Sequence, residues 1–203
     1  MEYANTKEKI LMNSLMLFAK SGFDGVTVRD IAAEVGIKES SLYKHYKSKT
    51  DILDQIFEEL AKRCRLAMTG LVNIDSNDFK LSRETGEQDM VWVCTGVFYY
   101  FLNDEYISHF RRLLSLEQYK NKAAASLYKE LFLDTPVQLY SGMFNILLAK
   151  GLIPYASADF LALEFYSPIF LLLSRCDTGA NDIDACAILA QHVKSFYKQY
   201  CRR

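Results

Sequence analysis

The first 50 residues contain a series of short, capped helical segments, and this series constrains the fold more than any other feature. Thr27 is followed three residues later by Asp30, which is the capping-box pattern of a helix start. Gly36 then ends this helix early, because glycine takes the left-handed conformation at little cost. Ser48 and Asp51 repeat the capping pattern. The sequence therefore predicts a set of short helices at this end of the chain.

Apolar spacing places the other boundaries in this region. The first helix is expected to be capped by Thr6 and to end at Gly22. The third is expected over residues 39–45, with Leu42 as its buried anchor. The fourth is expected to run from its Ser48 cap to about Thr69.

The rest of the chain also favours helices. Only 9 Gly and 3 Pro occur in 203 residues, and 50% of the residues are hydrophobic, which excludes disorder and argues against a turn-rich β fold. The polar segment 70–86 is expected to be a loop, and residues 90–102 a helix buried nearly all round. Further helices are expected over 104–118, 122–150, 157–175 (kinked at Pro168) and 182–200.

The sequence thus predicts an all-α fold with two domains. A three-helix domain with a helix-turn-helix would occupy residues 1–50, because the second and third helices are joined by a tight turn at Gly36. A larger helical bundle would occupy residues 51–203. We find no internal repeat and no strand-like alternation of useful length.

Positive charge is concentrated in the helix-turn-helix, although the net charge of the chain is −1. Residues 36–50 carry four Lys against one Glu, which is expected where a small module meets a polyanion. Small or polar side chains would form the outer face of the third helix, as entry into a DNA groove about 12 Å wide requires: Ser40, Ser41, Lys44 and His45. Lysines that can reach phosphates flank this face: Lys38, Lys47 and Lys49.

The segment from Phe18 to Leu53 resembles the N-terminal domain of TetR-family transcriptional regulators. The resemblance rests on Thr27-Val28-Arg29-Asp30-Ile31-Ala32, Val35-Gly36-Ile37 and Ser41-Leu42-Tyr43-Lys44-His45-Tyr46-Lys47-Ser48-Lys49. It implies an all-helical homodimer with DNA-binding heads and larger effector-binding bodies. Such a protein would be a ligand-responsive repressor on a palindromic double-stranded DNA operator. The sequence C-terminal to this segment matches the family only in length and helix layout.

The resemblance also implies roles for single residues. Thr27 would contact a phosphate, Tyr43 and Lys49 the DNA backbone, and the outer face of the third helix the groove. The chain departs from the family at Lys38, where Ser or Thr usually caps the recognition helix. Lysine accepts no hydrogen bond, so the cap would be lost at a cost of about 1 kcal/mol, and a phosphate contact would be gained. Tyr46, unlike the residues expected to contact DNA, is expected to be a core residue.

The bundle is rich in aromatic residues that suit both a core and a pocket for a small apolar or aromatic effector. Residues predicted to line such a pocket are Trp92, Phe98, Phe101, Phe144 and Tyr166. Residues predicted for the dimer interface, in the last two helices, are Phe165, Ile169, Leu172, Ile183, Ala187, Ala190, Val193 and Tyr197. The alternatives are that the aromatics form only core and that the last helices form an internal seam of a monomer.

The sequence shows no catalytic, cofactor or metal motif. It lacks GxGxxG, P-loop and GxSxG patterns, and its three His have no zinc-type spacing. Neither a signal peptide nor a membrane span is expected, and five Cys without CxxC spacing indicate reduced thiols, so the predicted location is cytoplasmic. The alternative function is a helical small-molecule binding protein, or an enzyme, whose DNA-binding head is vestigial.

Overall fold

The computed structural model describes residues 5–72, 86–154, 156–179 and 184–201, with the side chains of 69–72 excepted. Within these ranges the chain is helical and contains no strand, which confirms the predicted all-α class. The helices are α1 Thr6–Ser21, α2 Val28–Val35, α3 Glu39–Leu42, α4 Lys49–Val72, α5 Glu87–Asn103, α6 Glu105–Glu117, α7 Lys122–Tyr128, α8 Thr135–Ala149, α9 Ala158–Asp177 and α10 Ala185–Tyr200. A π-helical stretch, Lys129–Asp134, separates α7 from α8.

The chain divides into two compact units. The first comprises Met1–Leu66 and Glu105–Lys129, and the second comprises Ala67–Asp104 and Glu130–Arg203. The first unit therefore contains α1–α3, most of α4, α6 and α7, while α5 and α8–α10 belong to the second. These units do not coincide with the predicted domains 1–50 and 51–203, and the predicted boundary at residue 50 stays a prediction.

Helix caps define the start of the first unit. Asn5, and not the predicted Thr6, caps α1, because its side-chain oxygen accepts a hydrogen bond from the backbone N–H of Glu8 at 3.0 Å. Gly22 ends α1 with a φ of +72°, a conformation that favours glycine. The expected cap of α4 is confirmed, because the Ser48 hydroxyl accepts from the Asp51 N–H at 3.0 Å.

The core of the first unit is built from residues of α1, α4 and α6. Ile10, Leu15 and Phe18 of α1 are fully buried, as are Ile52 and Ile56 of α4. Phe57 of α4 packs against Phe110 of α6, with ring centroids 6.3 Å apart. The side chain of Arg63 on α4 lies over the ring of Tyr106 on α6 at 4.9 Å. Helices distant in sequence thus support the short N-terminal ones.

Several predicted elements differ in extent. The third helix ends at Leu42 instead of residue 45, because the next residues form 3₁₀-type bonds, His45 N to Leu42 O among them at 2.9 Å. The predicted helix over 122–150 is broken by the π-helical stretch, and α4 extends to Val72. Most of the predicted loop 70–86 lies outside the described residues.

The second unit has an aromatic core. The ring of Phe165 on α9 lies 4.8 Å from that of Phe196 on α10 and 5.9 Å from that of Phe144 on α8. The predicted all-round burial of 90–102 is wrong, because α5 buries only Val91, Cys94, Phe98 and Phe101 and exposes its other face. Pro168 lies inside α9, and the predicted kink there stays a prediction. Of the helices in the described ranges, none has the length and apolar character to cross a membrane.

Candidate functional site

The turn between α2 and α3 has the geometry of a helix-turn-helix. Gly36 is left-handed, with φ +77° and ψ +33°, and its N–H donates to the carbonyl of Ala33 at 3.1 Å. The N–H of Ile37 donates to the carbonyl of Ala32 at 2.9 Å, which completes a Schellman motif. A residue with a Cβ would be strained at this φ, so Gly36 fixes the angle at which the chain leaves α2.

One side of the α3 segment is anchored in the core. Leu42 is fully buried and Tyr46 is 3% exposed, as predicted for both residues. The Tyr46 hydroxyl donates to the carbonyl of Lys7 at 3.1 Å and so joins the end of this segment to α1. Burial, together with the negative charges of Asp51 and Glu59, raises the pKa of Tyr46 to about 12. The phenol is therefore neutral across the physiological pH range.

The opposite side of the same segment is open to solvent. Ser40, Lys44 and His45 are exposed, Ser41 is half-buried, and the Tyr43 side chain is 52% exposed. These five residues, with Lys38, form what we call the recognition face. A surface of small and polar side chains beside cations suits a DNA groove. Their contacts with DNA stay predictions.

Thr27 caps α2 through a reciprocal capping box. Its hydroxyl accepts from the N–H of Asp30 at 3.1 Å, and the Asp30 carboxylate accepts from the Thr27 N–H at 2.8 Å. The same carboxylate accepts from the Thr27 hydroxyl at 2.6 Å. The bond from the Thr27 hydroxyl, and to a lesser extent that from the Thr27 N–H, favours the charged form of Asp30 and lowers its pKa. Thr27 is exposed, so a phosphate has access to it.

Lys38 occupies the N-cap position of α3 with extended backbone geometry (φ −76°, ψ +147°). No side chain caps α3 there, which agrees with the expectation from lysine chemistry. The Lys38 side chain is exposed on the recognition face. A lysine at this position therefore provides an exposed positive charge in place of a capping hydrogen bond.

Lys49 has a structural role that sequence reasoning missed. Its ammonium donates to the carbonyls of Phe23 at 2.8 Å and Val26 at 2.7 Å. It also lies 4.1 Å from the ring centroid of Phe23, which is cation–π distance. A contact with DNA would have to use its one remaining N–H, and this contact stays a prediction. No local pattern signals a bond that spans 26 residues of sequence.

The predicted pocket residues fall into two environments. Phe98, Phe101, Phe144 and Tyr166 are buried in the second unit, whereas Trp92 is 76% exposed on the outer face of α5. The Tyr166 hydroxyl donates to the carbonyl of Phe132 at 2.9 Å, within the π-helical stretch. π-Helical turns of this kind are frequent at functional sites. Pocket lining by the five residues stays a prediction.

Tyr140 on α8 also belongs to this aromatic cluster, although no sequence signal singled it out. Its ring lies 4.9 Å from that of Phe165 and 6.0 Å from that of Tyr166. Burial, with added effects of Cys94 and Tyr166, raises the pKa of Tyr140 well above its usual value. Burial also raises the pKa of Cys94 to about 12. Both groups are neutral at physiological pH, so the cluster offers polar atoms without charge.

The predicted dimer residues divide by the helix face on which they lie. Four of them, Phe165, Ile169, Leu172 and Val193, are buried within the protomer. Ala187 is exposed, Ala190 and Tyr197 are half-buried, and Ile183 lies outside the described residues. Exposed apolar side chains lie on other faces of α9 and α10: Phe160, Leu163, Leu171 and Ile188. Among the described residues, no three His, Cys, Asp or Glu side chains are grouped as a metal site requires.

Comparison with known families gives a match in the N-terminal part. The model of the bacterial regulatory proteins of the tetR family matches residues 10–56, which include the whole helix-turn-helix. A relative from Staphylococcus aureus strain Newman, the biofilm operon icaADBC HTH-type negative transcriptional regulator IcaR, is 38% identical over 71 residues. This match covers 35% of the chain, and the chain spans only 36% of the length of that relative.

Solved structures are similar over nearly the whole chain. A TetR-family transcriptional regulator from Mesorhizobium loti has a TM-score of 0.70 at 16% identity, and the match covers 97% of each chain. A transcriptional regulator from Saccharomonospora viridis in complex with choline has a TM-score of 0.69 at 20% identity, covering 97% of this chain and 98% of that one. At such identities the likeness is one of fold.

Proposed function

We propose that the chain is a TetR-family transcriptional repressor that binds a DNA operator as a dimer and releases it when a small molecule binds. Regulators of this family bind DNA and small molecules and are not enzymes. The observation that carries the proposal is the recognition face, anchored by the buried Leu42 and joined to α2 through the left-handed Gly36. Repression is proposed because the S. aureus relative is a negative regulator. A cytoplasmic location is part of this proposal.

In the proposed complex, α3 enters the major groove. Ser40, Ser41, Lys44 and His45 contact base edges, while Thr27, Lys38 and Tyr43 contact phosphates that fix the register. Because α3 has a single turn, only its own outward-facing residues and those of the following turn can reach base edges. The operator of a symmetric dimer is palindromic, with half-sites about 34–36 Å apart or a multiple of this distance.

The surface that we propose for the dimer is the exposed apolar face of α9 and α10. Phe160, Leu163 and Leu171 on α9 are 62%, 54% and 58% exposed, and their spacing of three and eight residues places them on one side of the helix. Ile188 on α10 is 45% exposed. The buried Phe165, Ile169, Leu172 and Val193 support these two helices from within the protomer.

We propose an uncharged apolar or aromatic effector for the second unit. The aromatic cluster of α8, α9 and α10 offers ring faces, and the neutral Tyr140 and Cys94 offer polar atoms that do not favour an ionic ligand. A ligand shifts the equilibrium between DNA-bound and free protein only if it binds one of the two states more tightly. Tight binding of an anionic metabolite in a crystal would contradict this part of the proposal.

DNA binding is tested by fluorescence anisotropy with DNA from upstream of the gene itself, at two salt concentrations. The double variant Tyr43→Ala/Lys44→Ala is the control, because it removes one proposed phosphate contact and one groove contact without touching the core. We expect tight binding that survives competitor DNA and is lost in the variant. If binding is weak and vanishes with salt, a selection from random DNA follows, and failure to select any sequence would favour the vestigial head.

The dimer surface is tested by Leu171→Glu, measured by sedimentation velocity. A charge buried within an apolar interface has no partner, so we expect a dimer to become a monomer. Trp92→Glu is a matched control, since Trp92 is an exposed apolar residue of the same unit on α5, and it should leave the dimer intact. A wild-type protein that sediments as a monomer at micromolar concentration would overturn the proposed assembly.

A further inference from the structure

The turn between α1 and α2 is bonded by two charged side chains that come from distant parts of the chain. The backbone N–H of Phe23 donates to the Glu117 carboxylate at 2.8 Å, and the backbone carbonyl of Phe23 accepts from the Lys49 ammonium at 2.8 Å. Glu117 is the last residue of α6, 94 residues further along the chain, and Lys49 is the first of α4. Both polar backbone groups of Phe23 are thus bonded to side chains.

The Glu117 contact is buried and closely fitted. Glu117 is only 4% exposed, although it is a carboxylate. A Cβ on the neighbouring Gly22 would lie 3.3 Å from the same carboxylate oxygen, and the φ of Gly22 is +72°. Glycine is therefore favoured at position 22 by its backbone conformation, and a Cβ there would also crowd the Glu117 carboxylate. A carboxylate rarely enters such a site unless a donor compensates for its desolvation, and the Phe23 N–H is such a donor.

A second contact between the same two regions is much weaker. Lys120, which follows α6, forms an ion pair with Asp24 at 3.4 Å, but both side chains are largely exposed. Exposed pairs of this kind contribute little. The buried Glu117 carboxylate is therefore the principal polar bond between the end of α6 and the α1–α2 turn.

The turn leads directly into the helix-turn-helix. Val26, whose carbonyl also accepts from Lys49, is followed by Thr27, the cap of α2. Fixing Phe23 and Val26 therefore fixes the start of α2, and the left-handed Gly36 then relates α2 to α3. The angle of α3 depends in this way on contacts made just before the start of α2, by residues outside the recognition face.

We propose that Glu117 is a positioning residue for DNA binding. Its carboxylate fixes the α1–α2 turn, and through it the start of α2, in the orientation that sequence-specific binding requires, and it touches no DNA. This inference rests on the proposed function. It assigns to the end of α6 a direct influence on operator affinity, separate from any residue of the recognition face.

The test compares Glu117→Gln with Glu117→Met in the full-length protein. Glutamine keeps an oxygen that accepts from Phe23, whereas methionine has a similar volume and no such acceptor. Affinity is measured by anisotropy for a duplex selected from random DNA by the wild-type protein, and for a scrambled duplex of equal length. Glu105→Met, an exposed position at the other end of α6, is the matched control.

We expect Glu117→Met to bind the selected duplex roughly tenfold more weakly and the scrambled duplex as wild type does, because phosphate contacts alone tolerate a tilted head. Glu117→Gln should stay within about threefold of wild type. If Glu117→Met binds the selected duplex as tightly as wild type does, the inference is overturned and the proposed function stands. The same holds if the variant loses affinity equally for both duplexes. A wild-type protein that selects no duplex overturns the proposed function and the inference with it.

Discussion

The helix-turn-helix region of the first unit and the aromatic cluster of the second are held mainly by different kinds of contact. In the first, side chains bond the backbone at helix ends: Thr27 and Asp30 at the start of α2, and Lys49 and Glu117 at the α1–α2 turn. In the second, aromatic rings pack on one another, with Phe165 at the centre. The first kind of contact needs particular atoms at particular places. The second needs mainly apolar volume.

This difference explains why the two kinds of similarity have different extents. The family model matches only residues 10–56, whereas fold similarity at 16% identity covers 97% of the chain. Caps and left-handed glycines tolerate few replacements, so they keep a recognisable pattern. An aromatic core accepts many sequences of equal volume, and it therefore keeps the fold while its sequence becomes unrecognisable.

The largest effect is expected in the second unit, from Phe165→Ala. Phe165 is fully buried, and its ring lies within 6 Å of those of Tyr140, Phe144, His192 and Phe196. Loss of this side chain leaves a cavity and should lower the free energy of unfolding by about 3–5 kcal/mol. This free energy is measured by urea unfolding with Trp92 fluorescence as the signal, because Trp92 is the one tryptophan of the chain and lies in the second unit.

Tyr99→Ala is the control for Phe165, since Tyr99 is 61% exposed in the same unit. It should change the free energy of unfolding by less than about 0.5 kcal/mol. Equal effects of the two substitutions would show that the aromatic cluster is no special source of stability, and the contrast between the units would disappear.

The second largest effect is expected from Lys49→Met in the first unit. The substitution keeps the aliphatic stem and removes two charge-assisted hydrogen bonds to Phe23 and Val26. We expect the free energy of unfolding to fall by about 2 kcal/mol, because both carbonyls lose the ammonium donor and the cation–π contact is also lost. Amide hydrogen exchange in the α1–α2 turn measures this loss of stability. Lys47→Met, at an exposed position two residues earlier, should leave the exchange unchanged.

What was predictable from sequence follows the same division. The capping box of Thr27, the stop at Gly36 and the burial of Leu42 were all predicted, because each is a local signal within a few residues. The bonds of Lys49 and Glu117 were not, since they join segments 23 to 94 residues apart and leave no local trace. For Lys49 only a contact with the DNA backbone was predicted from sequence, and that contact stays a prediction; its two carbonyl partners became apparent from the fold.

In the second unit the helices were predictable and their orientation was not. Residues 90–102 are apolar enough to suggest burial on all sides, yet Trp92 is exposed. Phe165 and Val193 were predicted for the dimer interface from the same kind of stripe, and both are buried within the protomer. Helical periodicity identifies an apolar face, but it does not identify what covers that face. The tertiary fold decides which surface covers each apolar face.

A smaller effect, dependent on pH, is expected from Tyr46→Phe. At neutral pH the loss of the hydrogen bond to the Lys7 carbonyl should cost about 1 kcal/mol. The pKa of Tyr46 is raised from 10 to about 12 in the folded state, so the neutral phenol favours folding. This contribution is complete below pH 10 and is lost as the pH rises from 10 to 12.

The unfolding of wild type and Tyr46→Phe at pH 8 and pH 11 measures this contribution. The wild-type protein should lose more stability between the two pH values than the variant does, because phenylalanine does not titrate. Equal losses would show that the Tyr46 hydroxyl is as accessible in the folded chain as in the unfolded one.

The smallest effect, and the one that separates stability from DNA binding, is expected from Lys38→Ser. The backbone of Lys38 already has the extended geometry of an N-cap, so a serine hydroxyl can accept a hydrogen bond from the first turn of α3. We expect the first unit to gain about 0.5 kcal/mol, at the low end of cap energies because α3 has a single turn. Thermal unfolding measures this gain.

The same substitution removes an exposed cation from the recognition face. If Lys38 contacts a phosphate, the slope of log affinity against log salt should fall by about 1, and affinity should weaken alike for specific and nonspecific DNA. Lys38→Ala removes the charge without adding a cap, so it should show the change in slope without the gain in stability. A stabilised variant with unchanged salt dependence would show that Lys38 makes no phosphate contact, although it leaves α3 without an N-cap.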